Sequence, residues 1–98
     1  MAMSEATLKA EVIRIAIQNG WAVYTTAQNR QVRPARLAST AGYPDLTLAR
    51  DREALWIECK DSFGEMTTAQ YGWQAALPAY HVVRPADLIS GRVQELLG

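Results

Sequence analysis

The sequence predicts one α/β domain over residues 1–98, with a small central mixed β-sheet flanked by helices. Three observations carry that expectation. Some stretches repeat apolar residues at helical spacing, and others alternate at period two. Gly and Pro at segment ends separate the two kinds. Ninety-eight residues suit a single core, which buries roughly two-thirds of the unfolded surface.

The elements follow in order. Ser4 is a good N-cap, and Glu5 in the first turn complements the helix dipole. Leu8, Val12, Ile15 and Ala16 then keep helical spacing as far as Gly20, a helix stop. Glu5 lies three residues before Leu8 and seven before Val12, so it falls on the apolar stripe. Glu11 lies at the edge of that stripe. A carboxylate on a packing face needs a partner or a chemical role. Trp21–Thr25 is aromatic and branched, and reads as a strand. Ala27–Gly42 is polar, unpatterned and Arg-bearing, a loop long enough in so small a domain to point to function or disorder.

Pro44–Arg50 and Ala54–Lys60 both alternate, and the charged Asp51-Arg52-Glu53 turns the chain between them as a hairpin. On the second strand Leu55, Ile57 and Cys59 face one way, and Trp56, Glu58 and Lys60 the other. Thr67 and Gln70 have capping-box spacing and open a helix through Leu77, stopped by Pro78. His81–Arg84 forms a short strand. From Pro85 a last helix presents Ile89, Val93, Leu96 and Leu97 as its apolar side. The order is α-β-β-β-α-β-α.

Composition excludes several classes. Ten basic and ten acidic side chains leave no net charge, which argues against a polyanion binder held by bulk electrostatics. The charge is polarised all the same. Val12–Pro44 holds no acid but four arginines, Arg14, Arg30, Arg33 and Arg36. Asp45–Glu65 holds six acids against three bases. A single cysteine makes no internal disulfide, as in a reducing compartment. No apolar run approaches the ~20 residues of a membrane span. The first residues lack a signal-peptide pattern, so a cytoplasmic location is expected. One His and one Cys allow no Cys/His zinc site, and no phosphate-binding glycine loop implies a nucleotide cofactor. His81 is not expected to be catalytic. Trp21, Trp56 and Trp73 read as core rather than base-stacking residues, with Trp56 walling the face of Glu58.

Glu58 and Lys60 project from one face of one strand, and Asp45 opens its neighbour. Two carboxylates beside a lysine suit a hard cation such as Mg²⁺, which takes oxygen ligands. The Cys59 side chain points away, but its backbone carbonyl is placed to ligate. Gly42-Tyr43-Pro44-Asp45-Leu46, Trp56-Ile57-Glu58-Cys59-Lys60 and then Gly64, Thr67, Gln70 and Trp73 together resemble the PD-(D/E)xK nuclease superfamily. More narrowly they resemble its virus-type replication-repair nuclease (VRR-NUC) domain, over essentially the whole chain from Glu5 to about Leu97.

The resemblance implies a restriction-endonuclease-like core and a Mg²⁺- or Mn²⁺-dependent DNA endonuclease. Asp45 and Glu58 match the metal-binding acids, Lys60 the catalytic lysine, Glu5 the acid of the first helix and Gln70 the family glutamine. Small stand-alone members are homodimers acting on branched DNA such as four-way junctions, in bacteria or phage-infected cells, which makes these the expected partners and setting. Arg30, Arg33 and Arg36 are candidate phosphate contacts that position DNA without reading sequence. Lys60 is expected to be exposed, so that its loss abolishes cleavage and spares the fold. The rival readings are a nuclease of the same fold acting on flaps, single strands or duplex, a catalytically silent nucleic-acid-binding module, and a protein–protein adaptor.

Overall fold

A computed structural model describes residues 3–26 and 41–98. Most of the expected loop, with Arg30, Arg33 and Arg36, lies outside the described residues.

Helix α1 spans Glu5–Gln18, and the Ser4 hydroxyl accepts the Thr7 amide at its start. Its buried side chains are Leu8, Val12, Ile15 and Ala16, the stripe read from the sequence. The chain leaves α1 through Gly20, at φ +84°. Strands β1 (Ala22–Thr25), β2 (Leu46–Arg50) and β3 (Glu53–Cys59) follow. They pair antiparallel in sequence order. Asp51 and Arg52 sit at φ 49° and 69°, a two-residue turn whose handedness matches the strand twist. Helix α2 (Thr68–Ala76) then carries the chain to β4 (Tyr80–Val83), which pairs parallel with β3. The result is a mixed four-stranded sheet in the order β1-β2-β3-β4, flanked by helices.

The core lies on one face of this sheet. Leu46, Leu48, Ile57, Cys59 and Val83 meet the α1 stripe together with Trp21, Val93 and Leu97. Each buried Leu or Ile contributes roughly 1.5–3 kcal/mol relative to exposure. That burial fixes α1 across the sheet and so fixes where its first turn emerges. The Arg50 guanidinium stacks 4.2 Å over the Trp21 ring and donates to the carbonyls of Asn19 and Gly98. Trp21 Nε1 donates to the Leu97 carbonyl.

Two expectations need correction. The last helix is two: α3 (Pro85–Ile89) and α4 (Arg92–Leu97), divided at Gly91 with φ +85°. The left-handed residue breaks the helical phase, and Ile89 is 87% exposed instead of sharing the apolar side of Val93 and Leu97. Of the three tryptophans, only Trp21 belongs to the core. Trp56 and Trp73 are half-buried, and their indole N–H groups donate to the Tyr43 hydroxyl and the Ala41 carbonyl. Tyr43 and Trp73 also meet edge to face at 4.8 Å. These contacts hold the segment before β2 against α2.

Among the described residues, no helix is long and apolar enough to cross a membrane.

Candidate metal centre

Asp45 stands just ahead of β2, with the main chain there held by Thr26. Thr26 donates its amide to the Asp45 carbonyl at 2.8 Å and its hydroxyl to the Pro44 carbonyl at 2.6 Å. Since Leu46 pairs with Ile57, Asp45 falls opposite Glu58. The Cys59 amide bridges the two strands by donating to Asp45 Oδ2 at 2.9 Å.

Glu58 is 2% exposed, on the face of β3 opposite the core. Gln70 reaches it from α2: its Nε2 donates to Glu58 Oε2 at 3.0 Å, while its Oε1 accepts the Thr67 amide at 2.9 Å. One side chain therefore closes the capping box and fixes a site carboxylate. Gly42 makes this approach possible. It has φ +77°, and a Cβ there would lie 2.7–2.8 Å from the backbone of Ala69 and Gln70.

Glu5 completes the cluster from the exposed first turn of α1. One carboxylate oxygen from each of Glu5, Asp45 and Glu58 lies within 4.8 Å of the others. Glu11, the acid at the edge of the α1 stripe, instead pairs with Arg14 at 2.8 Å. Lys60 Nζ lies 3.8 Å from Glu58 Oε2. Contrary to expectation, Lys60 is only 8% exposed. Its stem runs beneath the turn after β3, where a Cβ on Gly64 would come within 3.4 Å of Lys60 Cδ. Period-two alternation assigns a face to a residue, not a depth.

Electrostatics set the chemistry. Burial, then the charge of Asp45, pushes the Glu58 carboxyl up to about 7 against the opposing pull of Lys60; Glu5 raises it further. Glu58 Oε1 is buried with no hydrogen-bond partner among the described residues. Burial, then Asp45 and Glu58, raises the Cys59 thiol to about 12, so it is a neutral core group and no soft metal ligand.

These residues fit a hard divalent cation. All three side-chain donors are oxygens, close enough together to share one ion whose ligands lie about 2.0–2.6 Å from it. The orphaned Glu58 oxygen is a buried acceptor in need of a positive partner. Among the described residues, no other group of three or more His, Cys, Asp or Glu side chains converges in this way. Cys59 brings its main chain to the cluster through its amide.

Two neighbours escaped the sequence reading. Lys9 Nζ lies 3.9 Å from Asp45 Oδ1; its place four residues after Glu5 on the same helix face was the available signal. The buried Tyr80 hydroxyl has no partner among the described residues, and burial, then the charges of Glu58 and Asp45, raises its pKa. Only the β3–β4 register, which pairs Tyr80 with Trp56, brings it to this face.

Comparisons with family models, with curated proteins and with solved structures find no match to this chain.

Proposed function

We propose that the chain is a divalent-cation-dependent nuclease that hydrolyses DNA phosphodiesters, with a PD-(D/E)xK-type core of the VRR-NUC kind. The observation that carries this reading is the buried Glu58 Oε1, unpartnered among the described residues, within a three-carboxylate cluster that has a buried lysine beside it. The motif resemblance in Gly42–Leu46, Trp56–Lys60 and Gln70 agrees with it. So does an α-β-β-β-α-β path that ends in a parallel strand.

Asp45, Glu58 and Glu5 would hold Mg²⁺ or Mn²⁺, with the Cys59 carbonyl as a further oxygen donor. The ion supplies a Lewis acid for a phosphate oxygen and lowers the pKa of a water. Gln70 keeps Glu58 Oε2 oriented, which leaves Oε1 without a hydrogen bond among the described residues. Lys60 orients the attacking water and offsets charge that builds on the phosphate as its ester bond breaks. With a water as the attacking group, hydrolysis on this reading passes through no covalent intermediate on the protein. Branched DNA as substrate and a homodimer as working unit follow from the resemblance. A symmetric pair would set two such sites against two strands.

The test is a Mg²⁺ and Mn²⁺ titration on four-way junction, flap, single-stranded and duplex DNA. Lys60→Met serves as control because Met keeps the buried stem filled. Cleavage is expected only with the cation, and Lys60→Met is expected to lose at least about 100-fold in rate while staying folded. Cleavage by that variant at the wild-type rate moves the site elsewhere. DNA binding without cleavage by the wild type favours the silent binding module, and no binding at low salt favours the adaptor.

A further inference from the structure

Two lysines border the carboxylate cluster, each beside a different carboxylate. Lys60 approaches Glu58 from β3, and Lys9 approaches Asp45 from α1, with Nζ 3.9 Å from Oδ1. The Lys9 side chain is 33% exposed, against 11% for Lys60, so Lys9 is the one of the pair that an incoming polymer can reach. At 3.9 Å the ammonium is attracted to Asp45 without a close charge-assisted hydrogen bond, typically about 2.7–2.9 Å. Its donors remain available for a second acceptor.

Charge balance gives this placement a purpose. With the carboxylates ionised, Glu5, Asp45, Glu58, Lys9 and Lys60 together carry a formal single negative charge. One divalent cation reverses that to a single positive charge, the complement of one phosphodiester. Without Lys9 the cation-loaded cluster would be formally neutral, and its attraction for phosphate would be weaker. A cation also competes with Lys9 for Asp45, so loading the site weakens the attraction that holds this ammonium there.

We infer that Lys9 is a substrate-binding residue, which leaves Asp45 when a cation is bound and contacts a DNA phosphate at the cut site. The inference rests on the nuclease reading above and adds a residue to it.

The experiment compares wild type, Lys9→Gln and Lys9→Arg. Mn²⁺ affinity of the protein alone is measured by calorimetry. DNA affinity is measured in saturating Ca²⁺ across a NaCl series, and kcat and KM in Mn²⁺. Lys9→Gln is expected to bind Mn²⁺ at least as tightly as wild type, because a competing positive charge has gone. Its DNA affinity is expected to fall about 5- to 10-fold, with a salt slope shallower by about 0.7–0.9, one phosphate contact. KM is expected to rise accordingly, and Lys9→Arg to restore the slope. Tighter Mn²⁺ binding with unchanged DNA affinity, slope and KM overturns the inference and leaves Lys9 as a counter-charge for Asp45. A wild type that neither binds nor cuts DNA in saturating Mn²⁺ overturns the nuclease reading itself, and this inference with it.

Discussion

Glu58 combines three costs in one side chain: burial, two neighbouring carboxylates and an oxygen with no partner among the described residues. Its carboxyl, raised from the ordinary 4.5 to about 7, holds its proton in the folded chain over a range where the unfolded chain has lost it. A raised carboxyl favours the native state fully below about pH 4.5, and that contribution is lost as the pH rises through about 7. The loss is on the order of 2–3 kcal/mol. Urea unfolding at pH 5 and pH 8 should therefore show wild type losing about that much more stability than Glu58→Gln, which cannot titrate there. Saturating Ca²⁺ should remove most of the difference, since a cation favours the ionised form. Parallel behaviour of wild type and Glu58→Gln would show that Glu58 does not carry this titration. At the scale of single residues, much of the cluster was legible from spacing. Glu58 and Lys60 share a strand face, Glu5 lies on the apolar stripe, and Gln70 stands at a capping position. Lys9, four residues after Glu5 on the same helix face, carries no further mark of its own in the sequence. Tyr80 was illegible, because its position depends on a pairing between segments far apart in sequence.

Helices and strands were read where a face repeats. The α1 stripe and the β2–β3 hairpin follow from local periodicity, which is why their bounds shift by only a residue or two. The final stretch is two helices instead of the one that periodicity predicts, because one glycine in the left-handed region changes the phase of everything after it. The parallel placement of β4 depends on the α2 crossover, which the alternation pattern does not encode. Gly42 shows how an element's position, as distinct from its existence, can rest on a missing Cβ. Gly42→Ala faces both a left-handed φ and a backbone contact under 3.0 Å with Ala69 and Gln70. Gly91→Ala has a similar φ but nothing within 4 Å, so it isolates the conformational cost. Urea unfolding should show a loss of about 1 kcal/mol for Gly91→Ala and about 2–4 kcal/mol for Gly42→Ala. The second change also pushes the first turn of α2 outward, away from Glu58. Gly42→Ala should thus lower cleavage even under conditions where it remains folded. Equal losses for the two variants would mean that α2 gives way freely, and that its first turn is not what holds Gln70 in place.

For the molecule as a whole, a net charge of zero and a DNA partner are compatible only if charge is redistributed. The sheet provides the means. It gathers Glu5, Asp45 and Glu58, three of the ten acids of the chain, into one spot, so that most of their charge can be offset by a single divalent ion. Arg50 closes the other end of the fold on Trp21 and the last carbonyls of the chain, and is committed there as a structural cation. Without a divalent ion, the cluster faces an incoming phosphate as a negative patch, and bulk attraction does not compensate. DNA affinity should therefore depend on the cation. Anisotropy with a four-way junction at about 50 mM salt should show at least about 10-fold tighter binding in Ca²⁺ than in chelator, equivalent to about 1.4 kcal/mol. Asp45→Asn separates the two roles of charge. It removes one negative group, which alone would strengthen binding in chelator, and it also removes a cation ligand. It should consequently bind DNA better than wild type in chelator, gain little from Ca²⁺, and fail to cut in Mn²⁺. Wild-type affinity that is equal in Ca²⁺ and in chelator would place the DNA-contacting surface away from the carboxylate cluster.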